Sequence, residues 1–231
     1  MNRLAETSDW FFTEKQAGIS TYVLLEHLRQ EHPSEYLAPV YNLDNELSGP
    51  VLISKRSEAT DILRNAYGSN QFSFTFYCWG KAHTTCPEDW TCDLSIAWDA
   101  SKNRAYPSKD GKKSSTHFIV QKRYGNFLLL ECHTNYLRQQ QLQIHAHFSY
   151  FDILGDTLWC KEPHYIYLED FKSFVKNSQR KPISSGLHLH LTYVTFPANG
   201  SPIEIYSQTP KNWERIEKFL QKYVKDIKGT F

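Results

Sequence analysis

No stretch of this chain approaches the roughly 18 consecutive apolar residues that a helix needs to cross a bilayer, which excludes a helical membrane span. The opening Met1-Asn2-Arg3-Leu4-Ala5-Glu6 lacks both a continuous apolar segment and a small-residue cleavage site, so a cytoplasmic-type protein without membrane attachment is expected. Cysteine is scarce and odd in number, five in 231 residues. That excludes a disulfide-stapled scaffold and suits reduced thiols; Cys132 and Cys160 lie in apolar runs and read as buried core groups. A surplus of one charge is missing too, since 26 Lys+Arg stand against 25 Asp+Glu for a net charge of +1. The strong positive field of a nonspecific nucleic-acid coat or a membrane-surface binder is therefore absent, although a local basic groove is compatible with this balance. There is no Gly-rich phosphate loop, no Gly-x-Ser-x-Gly elbow and no His-Glu-x-x-His helix, which removes the commonest nucleotide-binding, serine-hydrolase and metalloprotease chemistries.

Aromatic residues are abundant, with 14 Tyr, 14 Phe and 6 Trp in a chain that is 40% hydrophobic. A folded domain with a packed aromatic core follows. The spacing of Ile19, Tyr22, Val23, Leu25 and Leu28 predicts a helix ending before Pro33, with Thr13 and Gln16 as a weak capping box. Val51-Leu52-Ile53 reads as a strand, and Ser57 as the cap of a helix stopping at Gly68. From residue 71 Phe72, Phe74 and Phe76 alternate with polar neighbours. Strand-like runs follow at 92–98, 116–124 and 126–133, with 101–115 a polar loop. A helix is expected over about Leu168 to Ser178. A closing amphipathic helix carries Thr209 as cap, Pro210 at its start, and Trp213, Ile216, Phe219, Leu220, Tyr223, Val224 and Ile227 on its apolar stripe up to Gly229. The chain is thus expected to be a single α+β domain over 1–231: a helical portion over 1–70, then a largely antiparallel β-sheet and closing helix over 71–231.

One pattern occurs twice: Ile144-His145-Ala146-His147-Phe148-Ser149-Tyr150 and Leu187-His188-Leu189-His190-Leu191-Thr192-Tyr193. On a strand, side chains alternate faces, so His145, His147 and Ser149 share one face, as do His188, His190 and Thr192. Paired imidazoles near neutral pKa can divide general-base and general-acid work, and nearby hydroxyls can hold the oxygens where charge accumulates. The segments His147-Phe148-Ser149-Tyr150 and His190-Leu191-Thr192-Tyr193 resemble the paired His-x-Ser/Thr motifs of the 2H phosphoesterases, metal-independent enzymes acting on RNA ends, cyclic phosphates and oligonucleotides. That resemblance implies a hydrolase, a phosphodiesterase or nuclease acting on RNA, single-stranded nucleic acid or cyclic nucleotides. His147 and His190 would be its acid and base, Ser149 and Thr192 would hold the phosphate, and His145 and His188 would contact substrate. No cofactor is then required.

Other readings stay open. All four histidines can ligate zinc or another divalent metal, and a second zinc candidate is the set Cys78, His83, Cys86 and Cys92. His188-Leu189-His190 with Tyr223 also resembles the His-hydrophobe-His motif of rolling-circle endonucleases. Asp93, Asp99, Glu131 and Lys122 offer a metal-dependent nuclease centre. Trp79 and Trp90 can stack on a base or anchor a core. A non-enzymatic module binding a nucleotide or a partner protein uses the same strips for recognition, and histidines on a sheet face also serve as hydrogen-bonded packing groups without chemistry.

Overall fold

The computed structural model describes residues 3–171, 180–198 and 200–224. Two antiparallel sheets dominate it. The first contains β1 (Arg3–Glu6), β2 (Trp10–Lys15), β3 (Ala38–Pro39) and β4 (Gly49–Ser54) in the order β1-β2-β4-β3, with helices α1 (Thr21–Glu31) and α2 (Ser57–Gly68). The second contains β5 (Ser73–Ala82), β6 (Asp89–Cys92), β9 (Thr116–Tyr124), β10 (Phe127–Thr134), β12 (Leu189–Ala198) and β13 (Ser201–Tyr206) in the order β13-β12-β5-β10-β9-β6, and β11 (Phe151–Ile153) pairs with β5. A separate ribbon of β7 (Ile96–Asp99) and β8 (Arg104–Pro107) lies between β6 and β9 in sequence. Helices α3 (Gln141–His147) and α4 (Trp213–Tyr223) complete the fold.

The α+β class and the mostly antiparallel sheet agree with the sequence. Several local expectations shift. The described residues up to 70 hold the two expected helices and the expected strand at Val51–Ile53, now β4, but also β1, β2 and β3. The first helix is capped by Ser20, whose side chain accepts from the Val23 N–H at 3.0 Å, while Thr13 lies in β2. The polar loop over 101–115 contains β8. The C-terminal helix begins at Trp213 after Asn212, without the Thr209 cap. Near Leu168 there is one 3-10 turn, Leu168–Asp170; the rest of the expected helix lies outside the described residues, as do Ile227 and Gly229.

A continuous core joins the two sheets: Phe11, Phe12, Leu52 and Ile53 from the first pack with Phe74, Phe76, Leu191 and Phe196 from the second. Each such side chain contributes about 1.5–3 kcal/mol when fully buried. A smaller cluster seats α4, with Trp213, Ile216 and Leu220 against Trp79 and Tyr124. The sheets also meet directly, because Ser48 forms a parallel bridge with His190 and the Leu191 N–H donates to the Ser48 carbonyl at 2.9 Å. Gly49, at φ +136°, stands at this crossing, and a Cβ there would sit 2.5 Å from the Leu191 carbonyl oxygen. Only glycine fits.

Candidate active site

The connection from Tyr41 to Ser48, between β3 and β4, is polar and irregular, yet it is held from several directions. Beneath it, Lys15 at the end of β2 is fully buried, and its ammonium donates to the carbonyls of Gln16 (3.1 Å), Ile19 (2.7 Å), Asn45 (3.3 Å) and Leu47 (2.6 Å). Burial holds the Lys15 pKa down, to about 8, against the pull of the Asp44 charge. On one side the Leu43 N–H donates to Thr21 Oγ1 at 3.0 Å, and the Thr21 hydroxyl donates to the Leu43 carbonyl at 3.2 Å. On another, Ser48 Oγ is hydrogen-bonded to His190 Nδ1 at 2.8 Å.

These anchors present Asp44. The Gln140 N–H, at the N-terminal end of α3, donates to Asp44 Oδ2 at 2.8 Å; Gln140 itself is left-handed at φ +57°. Burial raises the Asp44 pKa, opposed by the Gln140 hydrogen bond and by Lys15. Among the described residues, Asp44 is the one carboxylate lining a cavity of about 460 Å³, a size suited to a small ligand. Val40, Tyr41, Leu43, Phe76 and Leu142 give this cavity apolar walls, and Tyr67, Tyr136, Arg138 and Gln139 add polar groups. Tyr67 stacks on Tyr136 at 4.4 Å, and the Arg138 guanidinium covers the Tyr136 ring at 4.2 Å. Arg138 Nε is buried with no hydrogen-bond partner among the described residues. Arg138 and Tyr136 also line a second cavity of about 890 Å³ that contains Lys113, Ser114, His117 and His133.

The residues singled out by the repeated pattern lie elsewhere. The first copy is not a strand: Gln141–His147 is helical, and Ser149 follows in a turn, its N–H donating to the Ala146 carbonyl. His145, His147 and Ser149 therefore do not form a sheet-face strip. His145 is fully buried between Thr116 Oγ1 (2.8 Å) and the Leu94 carbonyl (3.0 Å), and His147 meets Asp152 at 2.7 Å. In the second copy His190 lies on β12, while His188 precedes that strand, bonded to the Leu154 carbonyl (3.1 Å) and Ser184 Oγ (2.8 Å). His190 Nε2 meets Ser207 Oγ at 3.1 Å, and the Ser207 hydroxyl donates to Glu14 at 2.7 Å. With that proton committed to Glu14, His190 Nε2 carries the hydrogen and Nδ1 accepts from Ser48. Burial lowers the pKa of all three buried rings, that of His190 to about 4. Thr192 is buried and its hydroxyl has no hydrogen-bond partner among the described residues. None of these residues lines the Asp44 cavity.

The remaining candidates are dispersed as well. Cys78 lies against Cys132 in the core, Cys86 accepts from Arg123, and Cys92 is on β6, so the Cys78, His83, Cys86 and Cys92 set is not gathered. Glu131 bonds Tyr77 and His133, Lys122 pairs with Glu217, and Asp99 holds the Ser101 turn. Tyr223 packs on Phe219, Trp79 is a core residue, and Trp90 stacks on Phe118. Asp44 carried no sequence signal beyond its place in a polar turn before a buried strand; Tyr67, Tyr136 and Arg138 carried none.

Residues 17–148 match the family described as RNA pseudouridylate synthase. The segment includes the Asp44 loop, both tyrosines, Arg138 and α3. The chain is 25% identical over 189 residues to the uncharacterized RNA pseudouridine synthase YlyB of Bacillus subtilis (strain 168), a match covering 79% of this chain and 55% of that protein. It thus spans about half the length of the curated relative it matches. Among solved structures, human RNA pseudouridylate synthase domain containing 4 superposes with a TM-score of 0.75 at 17% identity, covering 95% of this chain and 92% of the other. Human RNA pseudouridylate synthase domain containing 1 gives 0.67 at 14% identity, with 95% and 94% covered. These matches overturn the resemblance to 2H phosphoesterases. The hydrolase reading falls with it, together with the phosphodiesterase or nuclease built on His147 and His190; the binding-module and four-histidine metal alternatives are not better supported. Among the described residues no helix is long and apolar enough to cross a membrane.

Proposed function

Because this chain belongs to the RNA pseudouridylate synthase family, we propose that it isomerises uridine within an RNA strand to pseudouridine, with Asp44 as the reacting carboxylate. Pseudouridine synthases of this family act without a cofactor, in keeping with the chemistry: substrate and product are isomers. The bond between uracil N1 and ribose C1′ breaks, the freed base turns, C5 bonds to C1′, and the C5 hydrogen leaves as a proton while N1 gains one. No electrons enter or leave.

Such a reaction needs a negative group beside the sugar as C1′ becomes electron-poor, and a proton acceptor near C5 afterwards. Asp44 offers both. Held by the Gln140 N–H and by the Lys15-clamped loop, its carboxylate faces the cavity with fixed geometry. The apolar walls accommodate a base extracted from its stack and keep water from the sugar during the bond exchange. Arg138, whose Nε is unpaired at the junction of the two cavities, suits the phosphate of the target nucleotide. The larger cavity, with Lys113 and His117, gives flanking nucleotides a route across the surface.

The observation carrying this reading is the placement of Asp44 as the one carboxylate in a cavity built by the family-matching segment. RNA transcripts tritiated at uracil C5 test it, since each turnover releases one tritium to water. The expected result is release by the wild-type protein and none by Asp44→Asn. Release undiminished in Asp44→Asn would overturn the assignment.

A further inference from the structure

At the far end of α3 from Asp44, donor side chains from three connections converge on one carboxylate. His147 Nδ1, at the C-terminal end of α3, lies 2.7 Å from Asp152 Oδ1. The other oxygen, Asp152 Oδ2, faces His164 Nε2 at 3.4 Å and His83 Nδ1 at 3.8 Å. Cys160 completes the group: its sulfur and the donor atoms of His147 and Asp152 all lie within 4.8 Å of one another. Among the described residues this is the one set of three His, Cys or carboxylate groups so gathered.

We infer that His147, Asp152 and Cys160 hold a structural zinc ion, with His164 and His83 beside Asp152 at its rim. Zinc bonds of about 2.0–2.3 Å place tetrahedral donors about 3.3–3.8 Å apart; the His147 and Asp152 donors, now hydrogen-bonded at 2.7 Å, and the Cys160 sulfur, with all three within 4.8 Å of one another, reach that spacing by small side-chain shifts. One thiolate, one carboxylate and one imidazole suit a borderline-soft divalent ion and balance its charge, with a solvent water as the fourth donor. The proton balance is plain. Cys160 gives its thiol proton to solvent, the His147 ring proton moves from Nδ1 to Nε2, and the ion takes the place of the hydrogen bond to Asp152.

The local backbone gives such an ion a purpose. From Leu154 to Ile166 the chain has neither helix nor strand, and it turns back through a hydrogen bond from the Gly155 N–H to the His164 carbonyl at 2.8 Å. A metal joining Cys160 to Asp152 on β11 and to His147 on α3 fixes this segment where few backbone bonds do. The ion takes no part in the isomerisation; the Asp44 cavity and these residues share no lining group.

The test uses the full chain, freed of metal and titrated with Zn²⁺ by calorimetry and with Co²⁺ by absorption spectroscopy. One equivalent of Zn²⁺ is expected, and a cobalt complex showing both tetrahedral visible bands and a thiolate charge-transfer band. Cys160→Ser should abolish the charge-transfer band, Asp152→Asn should weaken Zn²⁺ binding at least about tenfold, and Cys86→Ser should change neither. Absence of stoichiometric binding, or a charge-transfer band that persists in Cys160→Ser but disappears in Cys86→Ser, would overturn the site. An independent measurement needs no variant: Zn²⁺ should slow alkylation of Cys160 in the wild-type protein at least tenfold, read by peptide mass spectrometry. Equal rates with and without zinc would sink the inference even if Cys160→Ser fails to fold.

Discussion

The loop from Tyr41 to Ser48 has two sides, and both are lined with polar groups. On one side Asp44 meets a single backbone N–H and an open cavity. On the other Ser48 meets His190, whose two ring nitrogens are both engaged and whose pKa is pushed to about 4. The contrast separates the buried group proposed to react from a structural one. His190 has spent its hydrogen-bonding capacity holding two sheets together and keeps no vacant nitrogen for a substrate. Asp44 retains unsatisfied acceptor capacity toward the space a substrate would fill. The richer chemistry in the sequence lay with the histidines; the open acceptor capacity lies with the carboxylate.

The contrast can be broken first at Asp44. Asp44→Asn should lower turnover at least about a thousandfold while leaving thermal stability nearly unchanged, because the amide still accepts from Gln140. Radiometric tritium release and calorimetry together decide it, and a large loss of stability would mean the carboxylate is structural after all. Next comes the crossing point of the two sides. Gly49→Ala forces a Cβ against the Leu191 carbonyl at φ +136° and should cost about 2–4 kcal/mol in chemical denaturation, reducing activity through the displaced loop.

Lys15→Met sharpens the comparison from below. Losing the carbonyl clamp should reduce kcat about tenfold with a smaller change in KM. The same substitution removes the cation that opposes the upward pull of burial on Asp44, so the acidic limb of the rate profile should move to higher pH. An unmoved limb would show that Lys15 does not reach Asp44 electrostatically.

The smallest effect on activity is expected at His190. Its folded pKa of about 4 lies below the value near 6.5 of an unfolded histidine, so below pH 6.5 the unfolded chain takes up a proton that the folded protein refuses. Stability is therefore lost as pH falls from about 6.5 to 4, up to about 3 kcal/mol from this residue. His190→Asn should be less stable at pH 7 by about 1–3 kcal/mol, should show a flatter acid slope, and should keep most of its kcat. Loss of kcat without loss of stability would restore a catalytic role to the imidazole.

How far these features were legible depended on periodicity. Strands β5, β9 and β10 and the buried stripe of α4 repeat at their own periods, and their positions follow from sequence. Helix α3 concealed itself. Every residue from Gln141 to Ala146 is buried, so no polar face marks a 3.6-residue repeat, and the alternating His-Ala-His imitates a strand. Asp44 was invisible for another reason. A carboxylate in a polar turn looks solvated until Lys15 and Gln140 are brought to it, and His190 to the Ser48 end of its loop, from distant parts of the chain.

Those distances in sequence govern when the protein becomes competent. Gln140 lies 96 residues from Asp44, and His190 lies 142 residues from Ser48. During synthesis the Asp44 loop emerges early, after Lys15 and Thr21 but before Gln140 and His190. Contacts of such long span close late in folding. A nascent chain halted before β12 therefore has Lys15, Thr21 and Gln140 to set around Asp44 but leaves Ser48 without His190, and the loop gains its last anchor only when the last strands of the large sheet dock.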